Sequence, residues 1–151
     1  MDFAVRDYRH LSIEQQAAAA KILSRACHAP ERVMAQPVNR TLVVLAGDAP
    51  LAVLVHRGNY LSRIASRQSR DLAAFKAAQG HGPVHELLYH FLHSLEGDEF
   101  KHGVQSQAGR KFFERRVTPL AVLEKTSGKM SSWRIIKQRR PRRSPAFQGG
   151  E

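Results

Sequence analysis

Two apolar runs, Thr41-Leu42-Val43-Val44-Leu45-Ala46 and Leu51-Ala52-Val53-Leu54-Val55-His56, stand on either side of Gly47-Asp48-Ala49-Pro50. Runs of this length, rich in β-branched residues and split by a turn-forming spacer, predict a β-hairpin. Neither arm alternates apolar with polar residues. A strand with one wet face would alternate, because successive side chains point to opposite faces. Both faces of this hairpin are therefore expected to be covered. The chain should fold as an α/β protein, a twisted mixed sheet centred on the hairpin with helices on either side.

The flanking segments supply the layers. Asp2–His10 reads as a strand. Ser12-Ile13-Glu14-Gln15 is a capping box opening a helix that runs to about Cys27. Ala29-Pro30 stops that helix, and Glu31–Gln36 adds one further helical turn. Tyr60–Ser66 predicts a third strand beside the hairpin, and Ser69–Gln79 a helix diluted by Lys and Arg. Further on come a strand at Phe100–Gln105, a helix at Gln107–Arg116 burying Ala108 and Phe112, and strands at Val117–Lys125 and Ser132–Lys137.

Between them lies Gly80-His81-Gly82-Pro83-Val84-His85-Glu86-Leu87-Leu88, a glycine turn feeding a helix that continues to Leu95. Val84, Leu87, Leu88, Phe91, Leu92 and Leu95 recur at the spacing of one buried helical face. Pro83 suits the first helical position, where its missing N–H costs nothing. Two glycines ahead of it let backbone approach a ligand closely, with the first amides of the helix facing outward, as an anion such as a pyrophosphate requires. The same residues also serve a plain helix cap and helix start.

With 151 residues, 42% of them apolar, the chain is expected to form one domain over residues 1–137 followed by a basic tail, 138–151. No apolar run reaches the length of a membrane span, and no signal-peptide pattern opens the sequence. Cys27 is the single cysteine. A soluble protein of a reducing compartment, the cytoplasm, is the expectation. The net charge is +11, and residues 125–151 carry +7 of it. Past Gln138 there is no periodicity, only Arg, Pro, Ser and Gly, as in a disordered segment. Lys137, Arg139, Arg140, Arg142 and Arg143, with Trp133 and Phe147 nearby, combine phosphate-binding charge with stacking groups. Nucleic acid or another polyanion is the expected partner, with a solubilising tail as the plainer reading.

The order β-α-α-β-β-β-α-β-α-β-β resembles the GNAT acetyltransferase superfamily. Gly80-His81-Gly82 and Glu86-Leu87-Leu88 look like that family's R/Q-x-x-G-x-G/A loop and the helix after it. Ser106-Gln107-Ala108-Gly109-Arg110-Lys111-Phe112-Phe113 is similar to the family's helix ahead of strand six. The resemblance implies acetyl-CoA or another acyl-CoA as cofactor, held around Lys76, Gln79, Gly80, His81 and Gly82. It implies transfer of the acyl group to an amine, and the basic balance would suit an acceptor that is, or accompanies, nucleic acid. Three departures stand out. Ala77 takes the Arg/Gln position, with Lys76 and Gln79 as displaced substitutes. Phe112 or Phe113 replaces the tyrosine that serves as general acid. The fourth strand offers Ser62 and Ser66 but no glutamate. His81 and His102 are then the candidates for moving a proton. The absent acid and base favour the alternative, a non-enzymatic basic α/β module that binds nucleic acid.

Five of the eight histidines fall between residues 81 and 102. Glu86, His90 and His93 share one helical face, but His85-Glu86 with His90 is one residue longer than the zinc-protease spacing, and no metal is expected. A helix-turn-helix reading fails because the second helix turns His85, Glu86, Tyr89, His90 and His93 outward rather than Arg, Asn or Gln.

The tail makes a prediction that is independent of the fold. If Lys137 and the tail's four arginines engage duplex DNA, log affinity should fall with log salt at a slope of about −4 to −5. Deleting 138–151 should flatten the slope and weaken binding almost equally for all sequences. Equal affinity and slope with and without the tail, measured by fluorescence anisotropy, would reduce it to a solubilising extension.

Overall fold

The structure is a computed structural model of the chain, and it describes residues 3–67, 82–103 and 107–136. Its elements follow the expected order: β1 (Phe3–Asp7), α1 (Ile13–Leu23), α2 (Pro30–Ala35), β2 (Arg40–Ala46), β3 (Ala49–Arg57) and β4 (Tyr60–Ser66), then α3 (Pro83–Ser94), β5 (Glu99–Gly103), α4 (Gln107–Val117), β6 (Ala121–Ser127) and β7 (Met130–Ile135). One mixed sheet of seven strands runs β1-β2-β3-β4-β5-β7-β6. Every neighbouring pair is antiparallel except β4 with β5. The helix expected at Ser69–Gln79 and the tail lie outside the described residues.

Local rules account for most boundaries. Ser12 and Gln15 close the capping box reciprocally, with Gln15 N–H donating to Ser12 Oγ (3.1 Å) and Ser12 N–H to Gln15 Oε1 (3.0 Å). The hairpin turn is shorter than expected, only Gly47-Asp48, with Gly47 at φ +61° where a side chain would be strained. Pro50 is therefore inside β3, tolerated beside a register shift between Val44 and Leu45. β1 ends at Asp7 because its carboxylate accepts the Arg9 amide (2.9 Å) and turns the chain into a 3-10 turn at Tyr8–His10. The strand expected from Val117 begins only at Ala121. Helix α4 takes Val117 instead, and Thr118 closes the helix end by donating to the Glu114 carbonyl from both its amide (2.9 Å) and its hydroxyl (2.6 Å).

The hairpin is covered on both faces, as its composition demands. Val43, Leu45, Val53 and Val55 pack with Ala19, Ile22 and Leu23 of α1 and Met34 of α2. Val44, Ala46, Ala52 and Leu54 face α3, meeting Leu87, Leu88, Phe91 and Leu92. On that same side Phe100, Phe113 and Trp133 extend the core under α4. Phe91 is fully buried and meets Phe100 edge-on, ring centroids 6.2 Å apart. Glu86 and Tyr89, expected to face outward, are 5% and 2% exposed. Helix α3 lies against the sheet and also meets α4, so only His90 and Ser94 are exposed, with His85 and His93 half-buried. The expected burial of Phe112 concerns a side chain outside the described set; Phe113 is the ring that enters the core.

Phe91→Ala should cost about 3–5 kcal/mol in urea unfolding, since it removes a large ring from a site closed on all sides. Val122→Ala on β6, where the side chain is 42% exposed, should stay within about 0.5 kcal/mol. Similar losses at both positions would place the core elsewhere.

Candidate functional site

The parallel pair β4–β5 has the shortest ladder in the sheet. Its ladder consists of Tyr60↔Lys101 and Leu61↔His102. Beyond Leu61, residues 62–66 of β4 have no ladder partner on the β5 side among the described residues. On the other side β4 stays paired with β3, but the register jumps from His56↔Leu61 to Val55↔Arg63. One extra residue, Ser62, is thus inserted in β4. A bulge of this kind bends the strand and re-aims its side chains. The insertion falls where β4 and β5 part, and among the described residues no strand pairs with the backbone N–H and C=O groups of 62–66 on that side.

Helix α3 starts after this gap. Gly82 is its N-cap at φ −89° and ψ 171°, supplies no capping side chain, and is followed by Pro83 at the first helical position. The backbone conformation there is open to any residue, and a Cβ on Gly82 would meet nothing within 4 Å. The fold does not itself require glycine at this position, and there is room in front of the helix start. The positive end of the helix dipole faces that room. The other loop candidates, Lys76, Gln79, Gly80 and His81, lie outside the described residues, as do Lys137, Arg139, Arg140, Arg142 and Arg143.

His102 sits at the point of divergence. It is 8% exposed, and its ring stacks on Phe113 with centroids 3.7 Å apart. Its Nδ1 lies 3.2 Å from the Leu61 carbonyl. A carbonyl only accepts, so Nδ1 carries the hydrogen and Nε2 keeps the lone pair. Burial holds the imidazole below its ordinary value, partly offset by that hydrogen bond. His56, across Leu61 in the same row of the sheet, is lowered chiefly by burial as well. Sequence reasoning missed His56 because nothing local shows that β4 would set two histidines on either side of Leu61.

The remaining histidine cluster does not assemble. His93 stacks on Tyr89 (4.1 Å) and its Nδ1–H donates to the Tyr89 carbonyl (3.0 Å). Among the described residues no group of three or more His, Cys, Asp or Glu lies close enough to hold a metal ion. Among them, too, no helix is long and apolar enough to cross a membrane.

Neutral burial of His102 has a consequence for acid stability. Where the folded value is lowered, the unfolded chain takes up the proton first, so stability falls as pH drops below the ordinary imidazole value of about 6.5. In urea unfolding between pH 7 and 5, His102→Phe should show a shallower loss of stability than the parent, with His56 supplying part of the remaining slope. An unchanged slope would mean that His102 takes its proton equally well in both states.

No family model matches the sequence, and no curated protein matches it. Solved structures do match. E. coli N-acetyl transferase YhhK bound to coenzyme A superposes with a TM-score of 0.60 at 12% identity, over 89% of this chain and 99% of that one. Tetrahymena GCN5 gives 0.58 at 11% identity, over 89% and 96%. A GNAT family acetyltransferase from Bacillus cereus gives 0.57 at 12% identity, over 92% and 100%. At such identities the likeness is one of architecture: the chain has the fold of the GNAT acetyltransferases.

Proposed function

We propose that this chain is an acyl-CoA-dependent N-acyltransferase whose cofactor lies across the gap between β4 and β5. The observation that carries the reading is the bulge at Ser62, which parts the two parallel strands beside the open start of α3. The free edge of residues 62–66 can pair with the amide groups of a pantetheine arm as it would with an added strand. Gly82 and the first amides of α3 can hold the pyrophosphate, which needs N–H donors and a positive dipole rather than a side chain. Coenzyme A bound to the structurally similar YhhK supports the choice of ligand. With α3 starting at Pro83, the motif reads best as Gln79-x-x-Gly82-x-Val84, so Gln79 rather than Ala77 takes the Arg/Gln position.

When bound, the acyl-CoA supplies a thioester carbonyl for attack. The amine nitrogen would form the new C–N bond in place of the C–S bond, with coenzyme A departing as its thiolate. Most of the rate enhancement comes from holding amine and carbonyl together. His102 is the candidate acceptor of the amine's proton, because its Nε2 lone pair is free of the Leu61 hydrogen bond and its lowered basicity keeps it neutral at pH 7. Phe113 cannot donate a proton and is committed to the core. The leaving thiolate, a weak base, takes its proton from solvent.

Acetyl-CoA at a hundred times its Kd should stabilise the protein by about 2.7 kcal/mol, raising Tm by roughly 5–10 °C. Gly82→Asp separates binding from folding. Asp is a better N-cap than Gly, so the unliganded variant should melt at the same temperature or slightly higher, yet its charge beside the pyrophosphate should abolish the acetyl-CoA shift. A parent protein that acetyl-CoA does not stabilise, or a Gly82→Asp protein that it stabilises fully, would remove the reading.

A further inference from the structure

We propose that Arg63 is the seat of a carboxylate on the acceptor, so that the amine substrate is an amino acid or another amino-carboxylate. Arg63 is the first residue after the bulge and shares the α1-facing side of the sheet with Val55, its partner in β3. It is half-buried. Its one hydrogen bond runs from Nη1 to the carbonyl of the bulge residue Ser62 (3.1 Å), while Nε is buried and has no partner. It takes no part in the Arg9–Asp7 or Arg134–Glu124 ion pair. A guanidinium keeps its charge at any physiological pH, so it cannot escape the cost of burial by losing a proton. A buried charge without a counter-charge is costly, and one with an unused N–H edge is the arrangement that a planar oxyanion completes.

The surroundings point the same way. On this side of the sheet α1 stops at β4, and the next strand exposes Glu99 and Lys101. Tyr60, paired with Lys101 at the last but one rung before the strands part, reaches across β5: a Cβ on Gly103 would lie 3.2 Å from the Tyr60 hydroxyl. Arg57 lies over the Tyr60 ring, 5.6 Å from its centroid. Up to the divergence this face of the sheet therefore carries Arg57, Tyr60 and Lys101, with Arg63 just beyond it, and Glu99 is the carboxylate of β5 among the described residues. A second phosphate site is the less suitable occupant. The cofactor's phosphates are already assigned to the start of α3, and the planar edge of Arg63 matches a planar carboxylate.

The word acceptor rests on the acyl-transfer reading; the anion site does not. The test has two arms. In the first, wild-type protein with 15N-labelled arginine is titrated with propionate, inorganic phosphate and chloride while the Nε–H signal of Arg63 is followed. Saturable movement with propionate, absent with chloride, is expected. In the second, acetyl-CoA turnover is measured with 4-aminobutyrate and β-alanine and with their amides, which lack the carboxylate. Wild type should prefer the acids by roughly ten- to a hundredfold in kcat/KM. Arg63→Gln should erase the preference, and Arg63→Lys should keep only part of it. Equal use of acids and amides together with a static Nε signal, in protein that acetyl-CoA still stabilises, overturns the carboxylate seat and leaves the acyl-transfer reading standing. Movement with phosphate alone also overturns it. A propionate response in protein that acetyl-CoA does not stabilise keeps the anion site and ends the acyl-transfer reading.

Discussion

Every layer of this structure depends on the burial of β3 from both sides. Leu51 to Val55 are all fully buried, and from Ala52 to Val55 the side chains point alternately to the two faces. Neither face can be left to water, so α1 and α2 must cover one and α3 the other. The hydrophobic gain is distributed over two clusters that share only the strands between them. This is why a chain with a modest apolar fraction can support a three-layer arrangement: its longest apolar runs are placed where each residue counts toward one cluster or the other.

That scaffold is interrupted at β4 by one residue too many. Ser62 lengthens β4 relative to β3, and the pairing of β4 with β5 ends one residue earlier, at Leu61. A closed parallel pair would have left no room and no free backbone groups. The opening is held by the core beneath it. His102, at the last rung, is stacked on Phe113, and Phe113 is packed with Phe100 and Trp133. This packing buries the histidine and lowers its basicity, while the Leu61 carbonyl sets its tautomer and partly offsets the lowering.

The two sides of the gap differ in character. Toward α3 and α4 it meets aromatic core and a neutral imidazole; toward α1 it meets Arg63, Tyr60 and Lys101. A group entering from the second side meets positive charge and hydrogen-bond donors before it reaches the divergence. Ligand and acceptor would therefore be sorted by electrostatics as much as by shape. The replacement of an expected tyrosine by Phe113 fits this division, because the α4 side supplies packing rather than a proton.

Features encoded within a few residues were legible in the chain itself. The two-sided hairpin, the Ser12 capping box, the start of α3 at Pro83 and the order of elements all follow from periodicity, caps and turn residues that act over one or two helical turns. His102 was also identifiable as a candidate, as an isolated histidine on a short strand. Its buried, hydrogen-bonded setting was not legible, because that depends on the Leu61 carbonyl, 41 residues away in sequence. The same holds for the bulge at Ser62, for the buried Nε of Arg63 with no partner among the described residues, and for the burial of Glu86 and Tyr89 on a helix face whose pattern looks polar. Strand register and helix–helix contact are settled between segments far apart in the chain, by which hydrogen bonds and surfaces meet after folding. No local pattern specifies them, and tertiary structure alone decided them.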